Sequence, residues 1–274
     1  MIRKMISTAA YHLAAVLLVA AALLPFFWMI STSLKSYGAI MAIPIQWIPK
    51  NPTADNFFTL FKKDGLAISI LNSLFTAAGS VILTLVSSAM AAFAFAKLNF
   101  KLKNTLFLIY LATMMIPSQV LFIPLYLLMG ELALTDKLGA LILPGIFKVF
   151  AVFMLRQQIM TISDTYIEAP SIDGASLFTT FTRIICPMCR SSFATLSVIC
   201  FMESWNDYLL PLVMLTSKTK FTLPVILSSL SGQYKNEYNL LMAGALISMV
   251  PILFIYIAAQ KYFSSGLQIG GLKG

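Results

Sequence analysis

From Leu13 to Ile30 the chain runs without a charged residue, and further apolar stretches recur near 68–95, 105–129, 139–158, 193–215 and 240–260. A helix needs about 20 residues to cross the hydrocarbon core of a bilayer, and in lipid a backbone that satisfies its own hydrogen bonds must be helical or a closed barrel. With the first span near 12–32, these stretches predict an all-α integral membrane protein of about six transmembrane helices, a single transmembrane domain over 1–274. Composition agrees: only 11% of the 274 residues are charged and the mean hydropathy is +0.87, far too apolar for a soluble domain of this size. The start, MIRKMISTAAYHLAAVLL, looks superficially like a secretory signal. Its apolar run is too long for one and lacks an A-x-A cleavage site, so it reads as a span. The fourth stretch is interrupted by Lys148, and the fifth carries Glu203 and Asp207.

A formal charge of +9 would suggest nucleic acid in a soluble protein. Here Lys and Arg sit in short loops beside spans, where topology and anionic membrane lipid account for them, and no nucleic-acid partner is expected. Charge orients the spans weakly. With both termini inside, the inner set of Arg3, Lys4, Lys97, Lys101, Lys103, Arg156, Arg183, Arg190, Lys261 and Lys273 barely outnumbers an outer set that includes Lys62, Lys63, Lys218 and Lys220. The cluster Lys97, Lys101, Lys103 is the best local signal for the inner face.

Between two apolar segments lies the polar stretch Ile162 to Pro187, with three of the ten acidic residues, Asp164, Glu168 and Asp173. Asp164 and Thr165 suit a helix N-cap, and Thr165 with Glu168 has capping-box spacing. Pro170 opposes so early a start, because inside a helix it removes a backbone donor; a helix beginning near Ala169 would put it in the tolerated first turn. Asp173-Gly174 supplies a turn. Leu177, Phe181 and Ile184, with Phe178 and Ile185 beside them, then fall at helical spacing and predict one apolar face before Pro187. The expectation is two short helices around a glycine turn.

This stretch resembles the EAA loop of permease subunits of ATP-binding-cassette importers: Glu168, Ala169, Ile172, Asp173, Gly174, Ala175 and Pro187 match its pattern, while Pro170 replaces its second alanine and Cys186 a common leucine. Elsewhere Pro25 to Lys35, Trp47-Ile48-Pro49, Asn56-Phe57, Asn72-Ser73, Met115 to Gln119, Ser204 to Tyr208, Thr222-Leu223-Pro224 and the tail from Gln260 to Gly274 are similar to carbohydrate-importer permeases of the maltose type. The likeness covers nearly the whole chain. It implies a type I ABC importer permease fold in a bacterial cytoplasmic membrane, with both termini and the loop 161–190 cytoplasmic. It further implies a second homologous permease, a cytoplasmic ATPase dimer, an extracytoplasmic solute-binding protein and a carbohydrate substrate. Glu168, Ala169, Ile172, Asp173, Gly174 and Ala175 would then form the helix that couples to the ATPase. The C-terminal tail would also touch the ATPase.

No catalytic residues, cofactor or metal are expected in this chain. The glycine-rich tail from Gly266 lacks the Gly-Lys-Ser/Thr ending of a phosphate loop, and neither an HExxH pair nor a GxSxG elbow occurs. ATP hydrolysis therefore belongs to another polypeptide. Cys186-Pro-Met-Cys189 has C-x-x-C spacing, but without a second ligand pair or a βαβ context its thiols read as small apolar residues. His12 reads as interfacial, the methionines from Met114 to Met129 as lipid-facing or packing groups, and Ala77, Ala78, Gly79, Ser80 and Ala243, Gly244, Ala245 as sites of close helix packing. Glu203 and Asp207, four apart, are expected on one helix face in a structural role, with Lys148 snorkelling or paired to a carboxylate. Tyr110, Tyr126 and Trp205 are too ordinary in spans to be assigned to a sugar. The alternatives are an ion-coupled secondary transporter, which should show inverted repeats, a membrane scaffold, or a relative that carries a glycerol-phosphate-type solute.

Overall fold

The computed structural model describes residues 2–62, 65–230 and 237–267, and every regular element among them is helical. Three helices, Tyr11–Ser33, Leu66–Lys97 and Tyr238–Lys261, are each long and apolar enough to cross a membrane. Three bent pairs, Lys103–Met115 with Ser118–Glu131, Gly139–Phe147 with Val149–Met160, and Leu177–Met188 with Arg190–Trp205, raise the number of candidate spans to six. The all-α membrane architecture expected from the apolar runs is thus the one observed.

The bends have local causes. Lys103–Met115 and Ser118–Glu131 meet at 93°, where Ile116 is extended at φ −81°, ψ 117°. It precedes Pro117, and the proline ring excludes the helical conformation from the residue before it. Lys148, at ψ 94°, forms the 42° bend of the next pair. The stretch 193–215 does not hold one continuous helix: Arg190–Trp205 ends, and Leu209–Met214 begins after a short break. Pro211 explains it, since in an unbroken helix its ring would meet the carbonyl of Asp207. This corrects the expectation that Glu203 and Asp207 share a helix face. Glu203 lies on the first helix, whereas the Asp207 carboxylate accepts the Leu210 backbone N–H at 3.2 Å at the start of the second.

The chain divides into two compact units, Met1–Leu66 with Ile226–Val250, and Ala67–Val225 with Pro251–Gly274. In the first, the residues that follow the opening span are tied down by side chains from its loop. The Asn56 amide donates to the carbonyls of Ser33 at 2.6 Å and Lys35 at 2.8 Å, and Asn239 donates to the Asn56 oxygen at 2.7 Å. Ser31 donates to the Trp47 carbonyl at 2.5 Å, Trp47 meets Trp28 edge-on, and the Lys35 ammonium sits 4.2 Å from the centre of the Trp28 ring. Gly244 packs directly under the Leu227 side chain, leaving no room for a Cβ.

The second unit has its core around Phe93, Phe107, Ala151, Leu155, Ile159, Phe181, Ile185 and Leu196. Small residues let its helices approach closely. A Cβ on Gly79 would lie 2.7 Å from Ile142, and one on Gly145 would lie 2.9 Å from the Thr84 hydroxyl and 3.4 Å from the Ser80 carbonyl. Two polar knots hold its loops. Asn72 donates to the carbonyls of Thr219 at 3.0 Å and Phe221 at 3.1 Å, and Ser73 accepts the Leu223 N–H at 2.8 Å. Asp136 accepts from the backbone of Thr216 and Ser217, the Ser217 hydroxyl and the Lys220 ammonium. These bonds, led by the Ser217 hydroxyl, hold the Asp136 carboxyl far below the usual carboxylate range.

Candidate functional site

The polar stretch after Met160 is fastened at its entry. The Lys97 ammonium, at the end of the helix Leu66–Lys97, donates to the Ile162 carbonyl at 2.5 Å and to the Asp164 carboxylate at 2.6 Å. Its side chain is 5% exposed while that of Asp164 is 73% exposed, so a buried cation grips a surface loop. Ile162 is buried in the core and Ile167 packs against it. Lys103 donates to the carbonyls of Ala96 and Leu98, which closes the end of the same long helix.

The first short helix of the loop is Thr165–Ile172. It starts at the early position, with Pro170 inside, rather than near Ala169. The expected capping box does not form: Asp164 is already helical at φ −65°, ψ −21° and makes no side-chain cap. Its carboxylate is committed to Lys97, and the Thr165 N–H goes instead to the Ser163 hydroxyl at 3.4 Å. Pro170 leaves the Tyr166 carbonyl without its helical donor, a loss that water offsets at so exposed a position. The helix ends in a Schellman motif, in which the Ala175 N–H bonds the Pro170 carbonyl at 2.8 Å and the Gly174 N–H bonds that of Ser171 at 3.1 Å. The motif requires a left-handed residue, and Gly174 supplies it at φ +78°. Ser176 then caps Leu177–Thr180 by accepting the Thr179 N–H at 3.1 Å.

Beyond that turn the buried set is Phe181, Ile185 and Cys189. Of the expected face, Phe181 and Ile185 are buried and Ile184 is half-buried, and Cys189 extends it. A π-turn over Phe181–Ile185 adds a residue to the helical register, and Leu177 and Phe178 are left on the surface. Cys186 and Cys189 are free thiols; Cys189 is buried within the apolar core cluster and Cys186 packs against it.

The predicted residues are therefore brought together at one tip. Glu168 lies in the first turn of its helix, where a carboxylate is favoured by the helix dipole. Ile172, one turn further on the same face, is 86% exposed. Glu168, Ala169, Asp173 and Gly174 are exposed and Ala175 is half-buried. What the sequence reading missed is the clamp: Lys97 was visible only as part of a basic cluster. The one clue was Asp164, a carboxylate as able to pair with a cation as to cap the helix.

A second polar locus lies in the same unit. A cavity of about 280 Å³ is lined by Ser80, Thr84, Ser204, Lys148, Glu203 and Asp207 together with an apolar wall that includes Leu141 and Pro144. Lys148 forms an ion pair with Glu203, which settles between the snorkelling and pairing alternatives.

Residues 85–269 match the model of the binding-protein-dependent transport system inner membrane component family. The chain belongs to that family. This permease is 36% identical over 256 residues to the arabinooligosaccharides transport system permease protein AraQ of Halalkalibacterium halodurans, covering 92% of each chain. It is 31% identical over 249 residues to the lactose transport system permease protein LacG of Rhizobium radiobacter, covering 91% of this chain and 90% of that one. Its fold matches a chain in the crystal structure of a bacterial ABC transporter involved in import of the acidic polysaccharide alginate, at a TM-score of 0.83 and 21% identity, over 95% of this chain and 97% of that one. Two motifs that carried the sequence resemblance meet: Asn72 donates to the Phe221 carbonyl just before Thr222-Leu223-Pro224, and Ser73 accepts the Leu223 N–H. The tail beyond Leu267 lies outside the described residues.

Proposed function

We propose that this permease is one of two homologous membrane subunits of a bacterial importer that carries a carbohydrate inward across the cytoplasmic membrane. A solute-binding protein delivers the sugar from outside, and a separate cytoplasmic ATPase dimer supplies the energy. The observation that carries this reading is the tip from Glu168 to Ala175. An 86%-exposed isoleucine flanked by carboxylates, on a short helix fixed at its root by a buried lysine, suits docking against another protein. Ile172 would enter an apolar recess of the ATPase, and Glu168 and Asp173 would accept hydrogen bonds from its basic groups. Closure of the ATPase on ATP then pulls the helix, and the Lys97 clamp passes that pull to the span Leu66–Lys97, so that the spans rock between inward-open and outward-open states. The carbohydrate reading draws on the sugars named for the relatives.

The test is uptake into proteoliposomes that hold both permeases and the ATPase, with the binding protein added outside and ATP enclosed. Arabinotriose, lactose and raffinose serve as labelled probes. The expected result is accumulation of at least one probe that requires both ATP and the binding protein. Accumulation by this chain alone, driven by a proton or sodium gradient, would contradict it.

A further inference from the structure

We propose that Lys148, Glu203 and Asp207, with the hydroxyls of Thr84, Ser80 and Ser204, form a subsite on the translocation path that holds a sugar ring by its hydroxyl groups. This inference rests on the carbohydrate-importer reading above.

The argument begins with cost. Lys148 and Glu203 both fall within candidate membrane spans, where a charged group facing lipid is expensive and normally turns to a partner or a water-filled cavity. Pairing relieves only part of that cost, because the side chains of Lys148 and Glu203 remain 29% and 53% exposed on the surface of this chain. That surface therefore faces water, polar solute or the second permease rather than acyl chains. It is also concave, opening on the 280 Å³ cavity, which lies at the small end of ligand-pocket volumes and suits one ring rather than a whole oligosaccharide.

The lining then selects the chemistry. A carboxylate accepts from two adjacent hydroxyls, an ammonium donates to hydroxyl oxygens, and serine and threonine hydroxyls do either. Lys148 and Glu203 offset one another and Asp207 adds a further carboxylate, which disfavours an anion and offers acceptors to a neutral polyhydroxylated ring. The backbone supports the arrangement. Lys148 is fixed at a bend between two helices, Asp207 sits at the break after Trp205 and is oriented by the Leu210 N–H, and Thr84 is tied to the opposite wall by donating to the Gly145 carbonyl at 3.0 Å. Two helix breaks deliver Lys148 and Asp207, and the helix Arg190–Trp205 delivers Glu203, to one cavity.

The importer in proteoliposomes, with its binding protein and the probe sugar that wild type accumulates, tests this. Three variants are compared: Glu203→Gln, Lys148→Met, and the exchanged pair Lys148→Glu with Glu203→Lys. The expected result is a fall in sugar accumulated per unit time of about tenfold or more, the loss of a charge-assisted hydrogen bond. ATP hydrolysis stimulated by the binding protein should stay within about twofold of wild type, which shows an assembled transporter. The exchanged pair should remain as defective as the single variants, because it restores attraction but not the placement of donor and acceptor. Full uptake in the exchanged pair would reduce Lys148 and Glu203 to a structural ion pair and overturn the subsite, as would unchanged uptake in both single variants. If wild type itself accumulates none of the probes with ATP, the importer reading fails first and the subsite with it.

Discussion

The Lys97 ammonium donates at once to the Asp164 carboxylate, at 2.6 Å, and to the Ile162 carbonyl, at 2.5 Å. One buried side chain at the end of a long helix thereby fixes the root of the loop whose tip, ten residues on, is proposed to meet the ATPase. The hydrogen bond from Lys97, assisted by its charge, holds the Asp164 carboxyl below the ordinary carboxylate range.

That direction sets a pH dependence. A carboxylate with a depressed folded-state pKa contributes fully above its unfolded value of about 3.9, and the contribution is lost as pH falls below that value through the folded one. Backbone amides of residues 161–175 should therefore exchange with solvent more slowly at pH 7 than intrinsic rates allow, and lose that protection progressively as pH falls below about 3.9. Asp164→Asn should show the weakened protection already at pH 7. Equal protection in the variant and wild type at pH 7 would show that the ion pair does not hold the loop.

Asn72 satisfies two carbonyls of a segment nearly 150 residues away in sequence. Asn72→Ala should lower the stability of the detergent-solubilised protein by about 0.5–1.5 kcal/mol, the net range for a hydrogen bond, seen as a lower midpoint in thermal unfolding. Asn72→Asp should do no better, since a carboxylate cannot donate to a carbonyl. A midpoint unchanged in both would mean that water replaces the amide at no cost.

Gly79 and Gly145 offer a paired comparison. A methyl at position 79 meets the far end of the flexible Ile142 side chain, whereas one at position 145 meets the Thr84 hydroxyl and the Ser80 backbone. Thr84 cannot turn aside without losing its bond to the Gly145 carbonyl. Gly145→Ala should cost about 1–3 kcal/mol and Gly79→Ala less, as read from thermal midpoints in the same detergent. The reverse order would contradict the packing described.

The apolar spans were legible because lipid imposes one demand, continuous apolarity over a fixed length, that any sequence must display openly. The breaks were harder. Pro117 and Pro211 stood in plain view, but a proline in a span can also sit inside a continuous helix, as Pro25 and Pro251 do. Only the structure separates the two outcomes. At the loop, the glycine turn at Gly174 was readable from residue type alone. The start of its helix was not, because Asp164 could cap the helix or pair with a cation, and the choice depended on Lys97, which lies 67 residues earlier. Lys148 likewise needed a partner 55 residues away. Partnerships over such distances leave no trace in spacing.

Gly174 and Glu168 bear on the proposed coupling role of the loop. At φ +78° any side chain costs roughly 1–2 kcal/mol, so Gly174→Ala should slow uptake. Gly174→Pro, which cannot take a positive φ and also removes the N–H bonded to Ser171, should abolish uptake while the protein still reaches the membrane. Glu168→Ala should hydrolyse ATP with little transport. Wild-type uptake in Gly174→Pro would count heavily against a mechanical role for the loop.

The most direct measurement is affinity purification of the tagged permease from its own host's membranes in mild detergent, with mass spectrometry of the proteins that accompany it. A second homologous permease and an ATPase should co-purify with the wild type, and the ATPase should be lost when Glu168→Ala and Gly174→Pro are combined. Recovery of the chain alone, or an ATPase retained undiminished by the double variant, would contradict the coupling role assigned to the tip from Glu168 to Ala175.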